Sequence, residues 1–378
     1  AFTDDCGGSA EDDRHTFDKV DFSNTNHAAI TAGSRPADPN GPSCGTSTQD
    51  CDIGEFTMND VTFTNVESAF SHGSGQGTQV TMSNFAVTDS RSACFNFAEN
   101  TIATLTGTAG NPSTMTRCNT NFNDWGGAIV NMPGSTSGSL TVEYVDIVDS
   151  EVSLIRTDLQ TVTITDVTAT MTNGDTNPRW TGNGAWAYDN TGVGLGSSHG
   201  ANSEVTVTNF AAPDYAQGWI YAANKVSLTN VDLGTGFAND HRFDINPYGG
   251  AVTSVPGSVG TDSVFDTITV PEMSMFRTFP GTASDISVTG EFKIADFVIQ
   301  TDTIEFSGAT VGGKFVIDGC DANIKITTST VGQLDSLCFS AAGSSAVEMI
   351  SSTVAHSTSN SAIYMMQTTG AFVDVTVA

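Results

Sequence analysis

The hexapeptide VTFTNV (residues 61–66) decides how the rest of this 378-residue chain is read. Val61 and Phe63 alternate with Thr62 and Thr64, the period-2 pattern of a strand with one face buried. Asn65 then breaks the strand, because Asn and Asp tolerate the left-handed backbone region of a sharp bend and bond neighbouring backbone groups. Val66 opens a second strand. The phrase returns as VTMSNF (80–85), VTITDV (162–167), VTVTNF (205–210) and VSLTNV (226–231), with variants LTVEYV from Leu140 and VDFSN from Val20. Recurrence at roughly 20 residues with strand-like alternation is the mark of a β-solenoid. Each turn is one storey needing the same bend, so Asn24, Asn65, Asn84, Asp166, Asn209 and Asn230 are expected to stack as a ladder at one corner.

The wording changes near residue 250. Of 25 Asn, 23 precede that point, as do all four Trp. A repeat nevertheless persists in IEFSGATV (304–311), IKITTSTV (324–331) and VEMISSTV (347–354), with Gly, Thr or Ser replacing Asn at the bend. The domain reading is a Cys-containing segment with the first coils over 1–55 and an Asn-corner β-helix over 56–244 with a loop insertion at 173–204. A linker or kink follows over 245–262, then a Gly/Ser/Thr-corner solenoid over 263–378. No amphipathic helical pattern appears, which excludes a βαβ fold.

Composition limits the partners. Thirteen Lys and Arg stand against 42 Asp and Glu, a net charge of −29. Nucleic acid is excluded as a partner, because phosphate recognition needs a basic footprint. No apolar run is long enough for a membrane helix. The chain opens AFTDDCGG without Met, read as an exported product whose leader has been removed, hence extracellular or at the cell surface. Cys94 and Cys118, and Cys320 and Cys338, are each about one repeat apart, so disulfides between stacked turns are expected; two of Cys6, Cys44 and Cys51 would supply a third. No usable N-x-[ST] site is present, since Pro112 spoils NPS at Asn111. The tail AFVDVTVA (371–378) reads as an alternating strand with no cap, against which further coils or another chain are expected.

These turns, with their recurring Asn corner over most of 17–235, resemble the right-handed parallel β-helix proteins of the pectin-lyase-like superfamily. The resemblance implies an all-β, right-handed parallel β-helix with coils of about 20 residues and loop insertions. It is looser over 260–378. Because that superfamily includes polysaccharide lyases and hydrolases, phage tailspikes, adhesins and surface proteins, it narrows fold more than function. The NTDG and RIK segments of its polygalacturonase-type members are absent here. SHG occurs at 71–73 and 198–200, and the paired aspartates Asp4-Asp5 and Asp12-Asp13 lie ahead of the repeats.

Two stretches gather groups that would grip or cleave sugar. Residues 173–200 carry Asp175, Arg179, Trp180, Trp186, Tyr188, Asp189 and His199, and residues 237–250 carry Asp240, His241, Arg242, Asp244 and Tyr248. Trp180, Trp186, Tyr188, Arg179 and Tyr248 are the carbohydrate-binding candidates, since aromatic faces with polar groups suit sugar rings. Asp175, Asp189, His199, Asp240, His241, Arg242 and Asp244 are the acid–base candidates. The bland alternative is that the Trp residues pack loops down and the Asp residues are solvated. No cofactor is required; Ca²⁺ is the ion that Asp4, Asp5, Asp12 and Asp13 would attract. Outward Thr pairs such as Thr62/Thr64 and Thr163/Thr165 resemble the flat arrays of ice-binding solenoids, although Ser83, Glu143 and Ser227 interrupt the rows. The expected role is non-enzymatic: an extracellular structural or adhesive subunit of a surface layer, appendage or filament, self-associating through its solenoid ends. The alternative is a lyase, hydrolase or tailspike-like protein acting on an extracellular polysaccharide.

Overall fold

The computed structural model describes residues 2–3, 14–32, 54–72, 78–98, 100–120, 127–131, 137–150, 154–157, 159–172, 186–188, 204–213, 217–220, 225–234, 242–245, 264–270, 272–276, 282–295, 303–320, 323–338, 345–355 and 361–378. Among them there is no helix, and the strands stack in parallel, coil upon coil, as a β-helix. The chain divides into two compact units, residues 1–199 with 210–214, and 200–209 with 215–378.

In the first unit the coils have three faces, with Ser139–Val148 and Thr161–Thr170 each running through the first two as one strand. Glu55–Asn59, Thr62–Val66 and Phe70–His72 occupy the first, second and third faces of one coil. Gln79–Ser83, Ala86–Ser90 and Phe95–Phe97 occupy them in the next. The register sets Phe56 against Val80, Phe63 against Val87 and Phe70 against Phe95. Alternation does what the hexapeptide implied: Val61, Phe63 and Val66 are buried while Thr62 and Thr64 are exposed.

The single corner ladder needs correction, because there are two. Between the first and second faces the left-handed residues are Lys19, Asp60, Asn84, Tyr144 and Asp166. After the second face they are Asn24, Asn65, Asp89, Arg117 and Asp149. VTFTNV therefore lies on the second face, whereas VTMSNF and VTITDV lie on the first. A three-faced coil has more than one sharp bend, and a strand followed by Asn and an apolar residue describes either. Asn side chains pair along a column where successive bends both carry Asn: Asn65 Nδ2 donates to Asn24 Oδ1 at 2.8 Å and Asn230 Nδ2 to Asn209 Oδ1 at 2.9 Å, whereas Asn84 Nδ2 donates to Asn59 Oδ1, the residue before the neighbouring bend, at 3.2 Å. At the first bend a backbone rule also holds. The left-handed residue donates its N–H to the carbonyl just before the bend in the next coil, Lys19 to Asn59, Asp60 to Ser83 and Asn84 to Thr106, at 3.0–3.1 Å.

The second unit keeps the plan with different bend residues. Asn209, Asn230, Thr267, Asp285, Gly308, Thr328, Ser351 and Asp374 take φ between 48° and 66°. The expected Gly, Thr and Ser bends are thus met at 308, 328 and 351. Threonine pays a steric penalty in this region, being β-branched. Thr328 is held there by its N–H bond to the Ile350 carbonyl at 3.1 Å and by buried serines beside it. Ser352 Oγ accepts from Ser329 N, and Ser329 Oγ accepts from Ala309 N, each at 3.1 Å.

The core of each unit is stacked by register. Phe70, Phe95 and Ile129 form an inward row in the first unit, and Phe292, Phe315 and Leu334 one in the second. All six are essentially inaccessible to solvent. Two disulfides link neighbouring coils: Cys94–Cys118 with Cα atoms 5.4 Å apart, and Cys320–Cys338 at 4.7 Å. Both pairs are those expected from spacing. Cys6, Cys44 and Cys51 lie outside the described residues, as does the 245–262 segment apart from Ile245, which ends the strand Arg242–Ile245. No helix is long and apolar enough to cross a membrane among the described residues.

Candidate functional site

The surface that departs most from the rest of the fold is the coil over 361–378. Its strands Ile363–Met366, Thr368–Val373 and Thr376–Val377 continue the register of the coils before them. Phe372 pairs with Met349 and Val377 with Val354. Met349 and Val354 are wholly buried, yet Phe372 is 40 % and Val377 55 % exposed. The same alternation places them in the row that is core in the coils before them, and among the described residues no strand pairs on their far side.

The coil over 14–32 shows a milder form. Phe17, Val20 and Phe22 are half-buried, whereas Met58, Val61 and Phe63 in the coil after them are fully buried. Phe22 stacks on Phe63 with ring centroids 5.2 Å apart, and Phe17 meets Phe22 edge-on at 6.0 Å.

On the sides of the first unit, charged groups are arranged along columns. Arg117 grips Asp89 one coil away with two bonds, Nε to Oδ1 at 2.5 Å and Nη2 to Oδ2 at 2.7 Å. Arg91 bonds Glu67 at 3.1 Å and also donates to the Thr25 carbonyl, tying three coils together. The bond from Arg117 holds the Asp89 carboxyl below the usual carboxylate range, and the same bond raises the Arg117 guanidinium. The Asp166 carboxylate pushes the Tyr144 phenol up. Because Asp89 titrates lower in the folded state, its stabilisation is full above the ordinary carboxylate range and is lost as pH falls through the folded value. Arg117→Gln is expected to return the Asp89 pKa to an ordinary carboxylate value in a carbon-detected NMR titration. With both side chains more than a third exposed, at 49 % and 39 %, the stability change should stay within about 1 kcal/mol. An unmoved Asp89 titration would mean the pair does not form in solution.

Threonines also align, though not as the hexapeptides suggested. Thr62 and Thr64 lie on the second face and Thr163 and Thr165 on the first. The unbroken column is Thr16, Thr57, Thr81, Thr104, Thr141 and Thr163, one per coil on the first face. Its flanking columns mix Arg14, Glu55, Gln79, Ile102 and Ser139 on one side with Asp18, Asn59, Ser83, Thr106 and Glu143 on the other.

Most of the sugar-handling candidates, namely Asp175, Arg179, Trp180, Asp189, His199, Asp240, His241 and Tyr248, lie outside the described residues, as do Asp4, Asp5, Asp12 and Asp13. Trp186 and Tyr188 belong to the strand Trp186–Tyr188, which pairs with Ile155–Arg156, so that part of the presumed insertion is a coil strand. Arg242 and Asp244 likewise sit in Arg242–Ile245, between Gln217–Ile220 and Met273–Phe276. Trp186–Tyr188 belongs to the first unit and Arg242–Ile245 to the second. Among the described residues no three His, Cys, Asp or Glu side chains are grouped to hold a metal ion. Sequence reasoning missed Lys19, Arg117 and Tyr144 as bend residues, because nothing in their side chains announces a left-handed backbone. The signal available was position: each directly follows an alternating strand.

No protein-family profile, curated protein or solved structure matches this chain. The architecture is the parallel β-helix expected, and the reading of function rests on the geometry alone.

Proposed function

We propose that this protein is an extracellular structural or adhesive β-helix, a subunit of a cell-surface layer, appendage or filament that assembles through the ends of its solenoid. Kinship with the pectin-lyase-like β-helix proteins is part of the same proposal. The observation that supports it is a stack of parallel coils tied to one another by the Cys94–Cys118 and Cys320–Cys338 disulfides and by coil-to-coil ion pairs such as Arg117–Asp89. A parallel stack extends by adding strands, each of which gains backbone hydrogen bonds and apolar contact. A contact between two different surfaces of the chain is heterologous and repeats from copy to copy unless it closes into a ring. Two coil-to-coil disulfides and a charge of −29 suit a subunit exposed to an oxidising, aqueous exterior.

Negative-stain electron microscopy and sedimentation velocity across a concentration series test this. End-to-end polymers that lengthen with concentration are expected. Single particles at every concentration would sink the reading.

A further inference from the structure

We infer that the second face of the first unit is an ice-binding surface, a two-column array of threonine hydroxyls and methyls that holds the ordered water of an ice lattice. This goes beyond the assembly reading and does not depend on it. The parallel register builds the array. One outward column runs Asp21, Thr62, Ala86, Thr114, Asp146 and Thr168, and the other Ser23, Thr64, Thr88, Thr116, Val148 and Thr170. Between the columns the side chains point inward, and Phe63, Val87, Met115, Ile147 and Ala169 are buried there. Seven of the twelve outward residues are threonine and none is basic or aromatic, so the face is one of hydroxyls and methyls.

The backbone sets the spacing of that array. Adjacent coils lie about 4.8 Å apart, and outward residues two apart along a strand lie about 6.7 Å apart. The register passes from coil to coil without a shift, so these positions form a regular net. Water oxygens on the surface planes of ice repeat on a net of similar dimensions. A β-branched side chain is restricted at χ1, so the methyls and hydroxyls are already in place and little side-chain freedom is lost on contact. Among the described residues, the side-chain hydroxyls of Thr64, Thr88, Thr114, Thr116 and Thr170 make no hydrogen bond, which leaves them for water. Each contact is weak, and the array acts through many at once.

Charge and composition select this occupant. The chain carries −29, yet the only charges in the array are Asp21 and Asp146. Each accepts a bond from the threonine one coil on, Thr62 to Asp21, and Thr168 to Asp146 at 2.5 Å. An ice lattice excludes ions and their hydration shells, so a face that meets it is close to neutral. A protein partner is anchored by buried Trp, Tyr or Arg, and a sugar ring by an aromatic platform, and this face has none of these. The threonine column of the first face fails the same condition, because Arg14, Glu55, Asp18 and Glu143 flank it. Ser83 and Glu143, which interrupt the hexapeptide rows, belong to that first face and leave this array untouched.

The test uses the full chain and ice itself. The parent is expected to hold the freezing point below the melting point (thermal hysteresis) and to halt recrystallisation of fine-grained ice. Thr88→Tyr, in the middle of the array, should lower the thermal hysteresis about tenfold, because a ring standing off a flat face holds the rest of it away from the lattice. Thr104→Tyr sets the same ring on the first face and should leave the activity at the parent's level. Tyrosine suits an outward strand position, and circular dichroism checks that both variants fold. A parent without thermal hysteresis would overturn the inference and leave the assembly reading standing. So would a folded Thr88→Tyr protein as active as the parent, or an equal loss in Thr104→Tyr. A parent that binds crystalline cellulose or chitin but not ice would assign the face to a neutral polysaccharide and overturn it as well.

Discussion

Phe315→Ala is expected to destabilise the second unit by about 3–5 kcal/mol, the range for removing a fully buried aromatic side chain. Phe315 is inaccessible to solvent and stacks on Phe292 with centroids 4.9 Å apart and planes within 2°. Phe306 closes the other side edge-on at 5.3 Å. Those contacts cross coils, since Phe315 pairs in register with Phe292 before it and Leu334 after it. The upper part of the range applies because the site cannot collapse. Backbone hydrogen bonds hold adjacent coils at about 4.8 Å, so neighbouring rings cannot close the void that alanine leaves. Phe315→Leu should cost less, about 1–2 kcal/mol, because it keeps most of the buried volume. Urea unfolding followed by far-UV circular dichroism gives the size of the loss. Hydrogen exchange gives its place: in a stack where each coil touches only its neighbours, loss of protection should centre on 292–295 and 310–318. A loss below about 1 kcal/mol would mean that this triad is not the centre of the unit's packing.

The same stacking explains what the sequence revealed and what it withheld. Alternation such as Val61-Thr62-Phe63-Thr64 is local, and it correctly marks inward and outward positions. Bends were legible where the residue itself favours them, as at Asn84, Asp166, Asn230 and Gly308. At Lys19, Arg117 and Tyr144 the fold overrides preference, and only the strands on either side reveal the bend. Which of two bends an Asn serves is not local at all. Asn65 and Asn84 sit in near-identical phrases yet belong to different columns, because assignment depends on which coil position the phrase occupies. Disulfide pairs 94–118 and 320–338 were legible because a separation close to one coil puts two cysteines on adjacent storeys. The apolar end row was legible as alternation in AFVDVTVA.

Gly332→Ala should be among the most damaging small substitutions in the chain, lowering stability by about 3 kcal/mol through overpacking. A Cβ at 332 would lie 2.4 Å from the Gly312 carbonyl oxygen and 2.5 Å from that of Gly313. One coil earlier the same crowding repeats, with a Cβ at 312 only 2.4 Å from the Thr289 oxygen and one at 313 only 2.6 Å from the Gly290 oxygen. Every obstructing atom is backbone, so no rotamer change relieves it. The location explains why the backbones come so close. Val311 pairs with Val331 and Lys314 with Gln333, so two glycines on one coil face a single glycine on the next, a β-bulge that turns the chain toward the third face. Moving the coils apart at 332 would break ladder bonds on both sides and disturb the Lys314–Asp335 ion pair. Gly110→Ala is the matched control, because nothing lies within 4 Å of a Cβ there, and its effect should fall within about 0.5 kcal/mol. Thermal unfolding of the two variants decides the matter. A Gly332→Ala protein as stable as the Gly110→Ala one would mean that the coils at this bulge stand further apart than the hydrogen-bond ladder requires, and that glycine is present there for some reason other than close backbone approach.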